Sequence, residues 1–222
     1  MSQEDRSQLA AALGEHAIVL DCDQIAQLDA YCRLLWDWNT KLNLTRHTDY
    51  ARFVERDVVD SLELAKVLAA DERVLDVGTG GGVPGVLLAI LRPDLRVMLS
   101  ESVGKKARAV EAIVEAMPLA VSVHAGRAEE LLQEEYFDSL VVRAVAPLEK
   151  LLRWFADHWG AFGRLLVIKG PAWVEERREA REAGRMKGLQ LRKLSTWPLP
   201  GTHSESVLLE IRPAAETTDE HG

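Results

Sequence analysis

A chain of 222 residues, 47% of them apolar, can bury the core of one large domain or of one domain with a helical extension. Its formal charge of −8, from 27 Lys and Arg against 35 Asp and Glu, excludes binding of polyanions through bulk charge, so a nucleic-acid partner needs a local basic patch. Cys22 and Cys32 have no CxxC spacing and no nearby His pair, and neither a signal segment nor a membrane-length apolar run is present; the expectation is a cytoplasmic protein without metal and off the membrane.

Residues 1–70 read as a helical extension. From Gln24 to Leu42, Ile25, Leu28, Cys32, Leu35 and Trp38 recur at helical spacing and form one apolar face. "NLT" (Asn43 to Thr45) breaks that helix. A second is expected from about Tyr50 to Ala69, with Phe53, Val58, Leu62 and Ala65 inward. From Arg73 the pattern alternates. Strands are expected at 73–77, 96–101, 120–125, 137–143 and 164–169, and helices at 84–92, 104–117, 127–135, 147–159 and 173–187. Such alternation implies parallel strands joined by right-handed crossovers. The last two strand-like runs, "LQLRKLSTWPL" and "SESVLLEI", have only a turn-rich stretch between them (Pro198 to His203), so they should pair as an antiparallel hairpin. The expected fold is α/β: five parallel strands plus that hairpin over residues 71–212. This is the layout of class I S-adenosylmethionine-dependent, Rossmann-like methyltransferases. The tail 213–222 is polar, acidic and expected to be disordered.

In "RVLDVGTGGGVPGVLLAIL" the first strand runs into a glycine turn and then a helix. Gly80, Gly82 and Gly85 fit G-x-G-x-x-G, and Gly78, Gly80 and Gly82 fit the tighter G-x-G-x-G; either turn brings a ligand close to bare backbone. Asp76 separates the two ligands such turns serve. A carboxylate there opposes a diphosphate, which wants bare N–H groups and a helix dipole. It attracts the sulfonium and ammonium of S-adenosylmethionine. The other reading of Asp76 is a structural acid capping local N–H groups. Glu101 ends the second strand, where a carboxylate accepts hydrogen bonds from ribose hydroxyls, or instead caps the helix starting near Val103. Ala128 and Glu129 open the helix after the third strand, beside an adenine edge, although a first-turn Glu also answers the helix dipole.

The fourth strand reads "LVVRAVAPL" and lacks the Asn/Asp-Pro-Pro-aromatic sequence often used to methylate exocyclic amines. The cysteines lie far along the chain from the sheet edge, which argues against methylation of a pyrimidine carbon through a cysteine nucleophile. Guanine N7 fits what remains, because it has a lone pair and no proton to lose. Catalysis then rests on alignment, without a general base. Arg143 is the candidate for positioning the substrate, through guanine O6 or a phosphate; the alternative is a salt bridge to Glu101 or Glu129. Candidate RNA contacts are Lys105 and Lys106 beside the cofactor edge, Lys169 ending the fifth strand, and Arg177, Arg181 and Arg185. The three arginines line up at i, i+4, i+8 if their helix survives Gly184; otherwise they belong to a solvated, salt-bridged face. His47 and Trp173 stand in connecting segments and receive no role. No long exposed apolar face appears, so a monomer is expected.

The sequence resembles the ribosomal RNA small-subunit methyltransferase G family, also called glucose-inhibited division protein B, over roughly residues 24–212. The resemblance rests on "WNTKLNLT", "VVDSL", "LDVGTGGGVPGVLLAI", "ESVGKK", "GRAEEL", "VRAVAPL" and "VIKG". It implies methyl transfer from S-adenosylmethionine to N7 of a guanine in the 530 loop of 16S ribosomal RNA, on free RNA or the 30S subunit. It also implies cofactor contacts at Gly78, Val83, Ala128, Glu129 and Arg143; Asp76, Gly80 and Glu101 join them from the residue-level reading. Against the family pattern, Val83 stands where Phe or Leu is usual, Arg56-Asp57 where Arg-His is usual, and Glu205-Ser206 near the last strand where another Arg-His is usual. Three other readings stay open: methylation of a small molecule, which the acidic charge favours, a nicotinamide oxidoreductase, which only G-x-G-x-x-G and Glu101 favour, and a non-catalytic ribosome-binding protein that kept the pocket.

Overall fold

A computed structural model describes residues 3–199 and 202–214 of the chain. The extension begins with helix α1 (Gln3–Glu15) and helix α2 (Cys22–Asn39). A reciprocal cap starts α2: Asp21 Oδ1 accepts from the Gln24 N–H at 2.8 Å and Gln24 Oε1 accepts from the Asp21 N–H at 3.2 Å. It stops at Asn39, three residues short of the expected Leu42, because the Asn39 side chain accepts from the N–H groups of Leu44 and Thr45 and turns the chain away.

The second expected helix is three pieces in series: α3 (Tyr50–Arg52), a π-helical turn (Phe53–Val58) and α4 (Val59–Ala65). In the middle piece the turn is widened, and the Val59 N–H reaches the Val54 carbonyl five residues back. Phe53, Val54, Asp57 and Val58 are all buried as a result, a broader inward face than α-helical spacing yields. Two acids, Asp57 and Asp60, thereby lie among apolar neighbours.

The sheet holds β1 (Arg73–Val77), β2 (Arg96–Ser100), β3 (Ser122–His124), β4 (Phe137–Arg143), β5 (Phe162–Lys169), β6 (Leu189–Pro198) and β7 (Glu205–Pro213), in the order β3-β2-β1-β4-β5-β7-β6. The first five are mutually parallel; β7 runs antiparallel to both β5 and β6. The expected hairpin is therefore present, but β7 is inserted beside β5 and β6 forms the edge. Leu199 N–H bonds the Ser204 carbonyl across its turn; Pro200 and Gly201 lie outside the described residues. Pro213 ends β7 and the Ala214 N–H bonds the Gly188 carbonyl; the rest of the acidic tail lies outside the described residues.

The crossovers are α5 (Gly85–Leu91), α6 (Gly104–Glu115), α7 (Ala128–Leu131), α8 (Leu148–Trp154) and α9 (Trp173–Glu182). Helix α9 does not survive Gly184. That residue takes φ +71°, and the Arg185 N–H folds back to the Ala180 carbonyl at 2.9 Å, a left-handed helix stop. Arg185 consequently leaves the line of Arg177 and Arg181, which corrects the expected three-arginine stripe.

The helices of the extension share one core with α5, α6 and one face of the sheet, while α7, α8 and α9 cover the other face. Because the chain steps from β1 outward through β2 and β3 and then returns to β4 on β1's other side, the carboxyl ends of β1 and β4 diverge. Open α/β sheets bind ligands in that crevice. No described helix is long and apolar enough to cross a membrane.

Candidate active site

The glycine turn follows β1. Gly78 takes φ +66°, and a Cβ there would lie 2.9 Å from Val145 Cγ2, so the turn from β1 and the segment after β4 touch where only glycine fits. The N–H groups of Gly78 and Thr79 bond the Ser100 carbonyl. From the extension, the buried Tyr31 hydroxyl donates to the Gly81 carbonyl at 2.9 Å.

Asp76 is 1% exposed and lies beneath this turn. Its Oδ2 accepts from the Thr79 hydroxyl at 2.6 Å and from the Gly85 N–H at 2.8 Å, while Oδ1 has no partner. Burial pushes its pKa up to about 6, against the pull of those two hydrogen bonds. The expectation that Asp76 faces the ligand is corrected here: the carboxylate is absent from the cavity wall and holds the loop from below. Glu101 does line the cavity. Its Oε2 accepts from the Gly80 N–H at 3.0 Å and its Oε1 from the Val103 N–H at 2.8 Å. Glu101 therefore holds the N–H of Val103, the residue before helix α6, and is not the cap of that helix, which has no side-chain cap; it lines the hollow instead.

Three hollows meet here. One of about 410 Å³ lies over the turn, walled by Gly78, Gly80, Val83, Glu101 and Lys106. A smaller one of about 150 Å³ adjoins it, with Ala128, Glu129, Val145 and Trp154. The largest, about 820 Å³, opens on the other side of Arg143, Ala144 and Val145, which wall it together with Arg46, His47, Arg56, Asp60, Lys169 and Ser206. Ala144 takes φ +54° at this seam, a left-handed conformation uncommon for a side-chain-bearing residue and most often kept at functional sites.

Arg143 is clamped between two carboxylates of the extension. Nη2 donates to Asp57 Oδ1 at 2.6 Å and Nη1 to Asp60 Oδ2 at 3.1 Å. Burial opposes the guanidinium charge, but the two acids outweigh it and hold the pKa above its usual value. Burial would likewise raise Asp57; the hydrogen bond from His47 Nδ1, at 2.9 Å, and the Arg143 charge reverse that and lower it. Asp60 remains raised by burial despite Arg143 and the Trp197 indole N–H, which donates to Asp60 Oδ1 at 3.0 Å. The partners of Arg143 are therefore Asp57 and Asp60, not Glu101 or Glu129, and the group is a neutralised wall rather than a free cation.

A glycine turn over buried acids, a second large cavity and a helical extension clamped onto the seam coincide with a family match: residues 24–200 fit the model of GidB, rRNA small subunit methyltransferase G. The chain belongs to this family. A ribosomal RNA small subunit methyltransferase G of Rhodopirellula baltica is 45% identical over 213 residues, covering 96% of this chain and 92% of that protein. One of Pseudomonas aeruginosa is 39% identical over 171 residues, covering 77% and 80%. Among solved structures, a methyltransferase from Pyrococcus furiosus overlays with TM-score 0.55 at 14% identity, covering 71% of this chain and 83% of that one. M. capricolum TrmK in complex with S-adenosyl-homocysteine overlays with TM-score 0.55 at 12% identity, covering 69% and 67%. These overlays show the class I methyltransferase fold.

In this GidB-family chain the remaining candidates separate. Lys106 lines the hollow over the glycine turn; Lys105 is exposed on the same helix end. Lys169 lines the large cavity but is buried and engaged there, with Nζ donating to the Ala146 carbonyl at 2.5 Å and pairing with Glu176 at 2.7 Å. Arg177 lies over the Trp173 ring at 5.4 Å, Arg185 pairs with Glu149 at 3.4 Å, and Arg181 has no ion-pair partner among the described residues. Sequence reasoning missed the roles of Asp57, Asp60, Arg46, Arg56 and Trp154. The signal for the two aspartates was present: charges on an otherwise apolar helical face call for a buried cation. No signal marked the others, which become neighbours only through the fold.

Proposed function

We propose that this protein transfers a methyl group from S-adenosylmethionine to N7 of a guanine in the 530 loop of 16S ribosomal RNA. One observation carries the reading: two cavities share a wall, Arg143–Val145 together with Leu44 and Thr45, so a donor over the glycine turn and a nucleotide in the larger hollow would meet there. The residues present fit the donor. Asp76 keeps an unpartnered buried oxygen beneath the turn, Glu101 borders the space, and Ala128 and Glu129 flank the adjoining hollow. When bound, S-adenosylmethionine supplies a methyl group on a cationic sulfur.

Gly78, Gly80 and Val83 would receive it against bare backbone, Glu101 its ribose, and Ala128 with Glu129 its adenine. Guanine N7 has no proton to remove, so alignment replaces base catalysis, an effect that reaches about 7–11 kcal/mol in well-oriented reactions. Arg143 positions the acceptor with the N–H donors its two carboxylates leave over. As the guanine ring becomes positive, a bare arginine would oppose it; Asp57 and Asp60 cancel that opposition. Residues 71–212 then act as the transfer domain, and 1–70 as the part that closes the substrate side. Exposed large apolar residues are scattered over separate elements (Val19, Tyr136, Val174, Leu194), which supports a monomer.

The test is incubation with methyl-labelled S-adenosylmethionine and small ribosomal subunits or their RNA, followed by chemical cleavage at 7-methylguanine. Label in the 530 loop is expected; label absent from every form of the RNA overturns the reading. The charge of −8 favours a second reading, methylation of a small molecule, which the same outcome would promote.

A further inference from the structure

The large cavity has a cationic rim that the methyl-transfer chemistry does not use. Arg46 and His47 stand on the loop between α2 and α3, and Arg56 stands on the π-helical turn; all three line the hollow. Arg46 and Arg56 have no ion-pair partner among the described residues. His47 is fixed differently. Its Nδ1 lies 2.9 Å from Asp57 Oδ2, while the other oxygen of Asp57 is held by Arg143.

Asp57 and Asp60 bring two negative charges here; Arg143 supplies one positive, and Arg56 stands close enough to Asp60 to favour its ionised form. With Nδ1 engaged by Asp57, Nε2 is the ring nitrogen of His47 left for the cavity that the residue lines. Asp57, through its two buried oxygens, thus orients His47 and Arg143 together, one toward the cavity and one along its floor.

We propose that Arg46, His47 and Arg56 form a phosphodiester clamp for the target strand, with His47 as a positioning contact held by Asp57. This rests on the proposed function and adds where the RNA backbone is gripped. An oxygen acceptor of full negative charge suits a rim of two guanidiniums and an imidazole, and the flanking phosphates of a nucleotide whose base reaches the Arg143 seam supply it. The clamp also explains how a chain of net charge −8 binds RNA: through a local cluster, with its acids buried behind it. The charged groups facing His47 and its cavity are Asp57 and Arg56 from the π-helical turn, Asp60 from α4, Arg143 from β4, Lys169 from β5 and Glu176 from α9.

The experiment is fluorescence anisotropy of a labelled RNA hairpin carrying the 530 loop, titrated at several KCl concentrations with full-length wild type, His47→Asn and Arg56→Gln. Asparagine keeps a donor for Asp57 and loses the second ring nitrogen. Arg56→Gln is expected to weaken RNA binding about three- to tenfold and to lower the log–log salt slope by about 0.7, and His47→Asn to weaken binding by about threefold. Both should keep wild-type affinity for S-adenosylhomocysteine. Unchanged affinity in both variants overturns the clamp, and so does an unchanged salt slope in Arg56→Gln. If His47→Asn does not fold, Arg56→Gln decides. RNA bound in this manner without methyl transfer overturns the proposed function alone; methyl transfer without any His47 or Arg56 dependence overturns the clamp alone.

Discussion

The two cavities that meet at Arg143–Val145 are built by opposite means. The one over the glycine turn is founded on one short stretch of backbone, Gly78 to Val83, with Glu101 to Lys106 beside it and the Arg143–Val145 seam completing it. The larger one is assembled from side chains of segments near residues 46, 56, 60, 143, 169 and 206. A ligand shared by many enzymes can be held by a local backbone turn, whereas an acceptor particular to one enzyme needs groups gathered from afar. The first should therefore respond to steric changes in the turn, and the second to changes of charge in distant segments.

The largest effect tests the assembled side. Asp57→Ala leaves Arg143 short of a partner in a buried place and is expected to cost about 3–5 kcal/mol of stability in urea unfolding. Affinity of the folded fraction for S-adenosylhomocysteine should change much less than affinity for RNA. On the backbone side, Gly85→Ala would press a Cβ into Leu99 and to 2.8 Å from Asp76 Oδ2. It is expected to cost about 1–3 kcal/mol and to abolish binding of S-adenosylhomocysteine in calorimetry. Gly80→Ala, with nothing nearer than 4.0 Å to its Cβ but φ +62°, should cost only the left-handed strain, about 1–2 kcal/mol.

A pH series sharpens the comparison further. With its pKa raised to about 6, Asp76 prefers to be protonated in the fold; its stabilising contribution is full below about 3.8 and fades as pH climbs through 6. Wild type should accordingly lose stability relative to Asp76→Asn over that window. The ligand preference runs the other way. Ionised Asp76 attracts a sulfonium, so the affinity ratio of S-adenosylmethionine to S-adenosylhomocysteine should rise through pH 6 in wild type and stay flat in Asp76→Asn. The smallest effect lies on α9. Arg178 is already paired with Glu175 and Glu182 and its removal should leave RNA binding unmoved, while Arg181→Ala should weaken it slightly in the same anisotropy assay.

The backbone-built side was legible in the sequence because its determinants are neighbours in the chain. The strand, the turn, Glu101 at the end of β2 and the hairpin that closes the sheet could all be read from spacing. Asp76 was read with the correct weight and the wrong direction, since spacing places a residue at a strand end without saying whether it points over or under the turn. The assembled side was hardly legible. Arg143 was singled out, but its partners are 83 and 86 positions away, and nothing in the pattern ties them together. Helix α9 was read too long because Gly184 is tolerable within a helix, and only its left-handed backbone shows that the helix ends there.

The π-helical turn at Phe53–Val58 makes one stretch of this chain sensitive to length as well as to identity. An ordinary helix has one residue fewer per such turn. Deleting a single position there would let the wide turn close to an ordinary helical one and shift the residues within it, so that Arg56 and Asp57 lose their places at the crevice, with every other amino acid unaltered. A homologue shortened by one residue at this point would keep the donor turn intact and lose its grip on the acceptor.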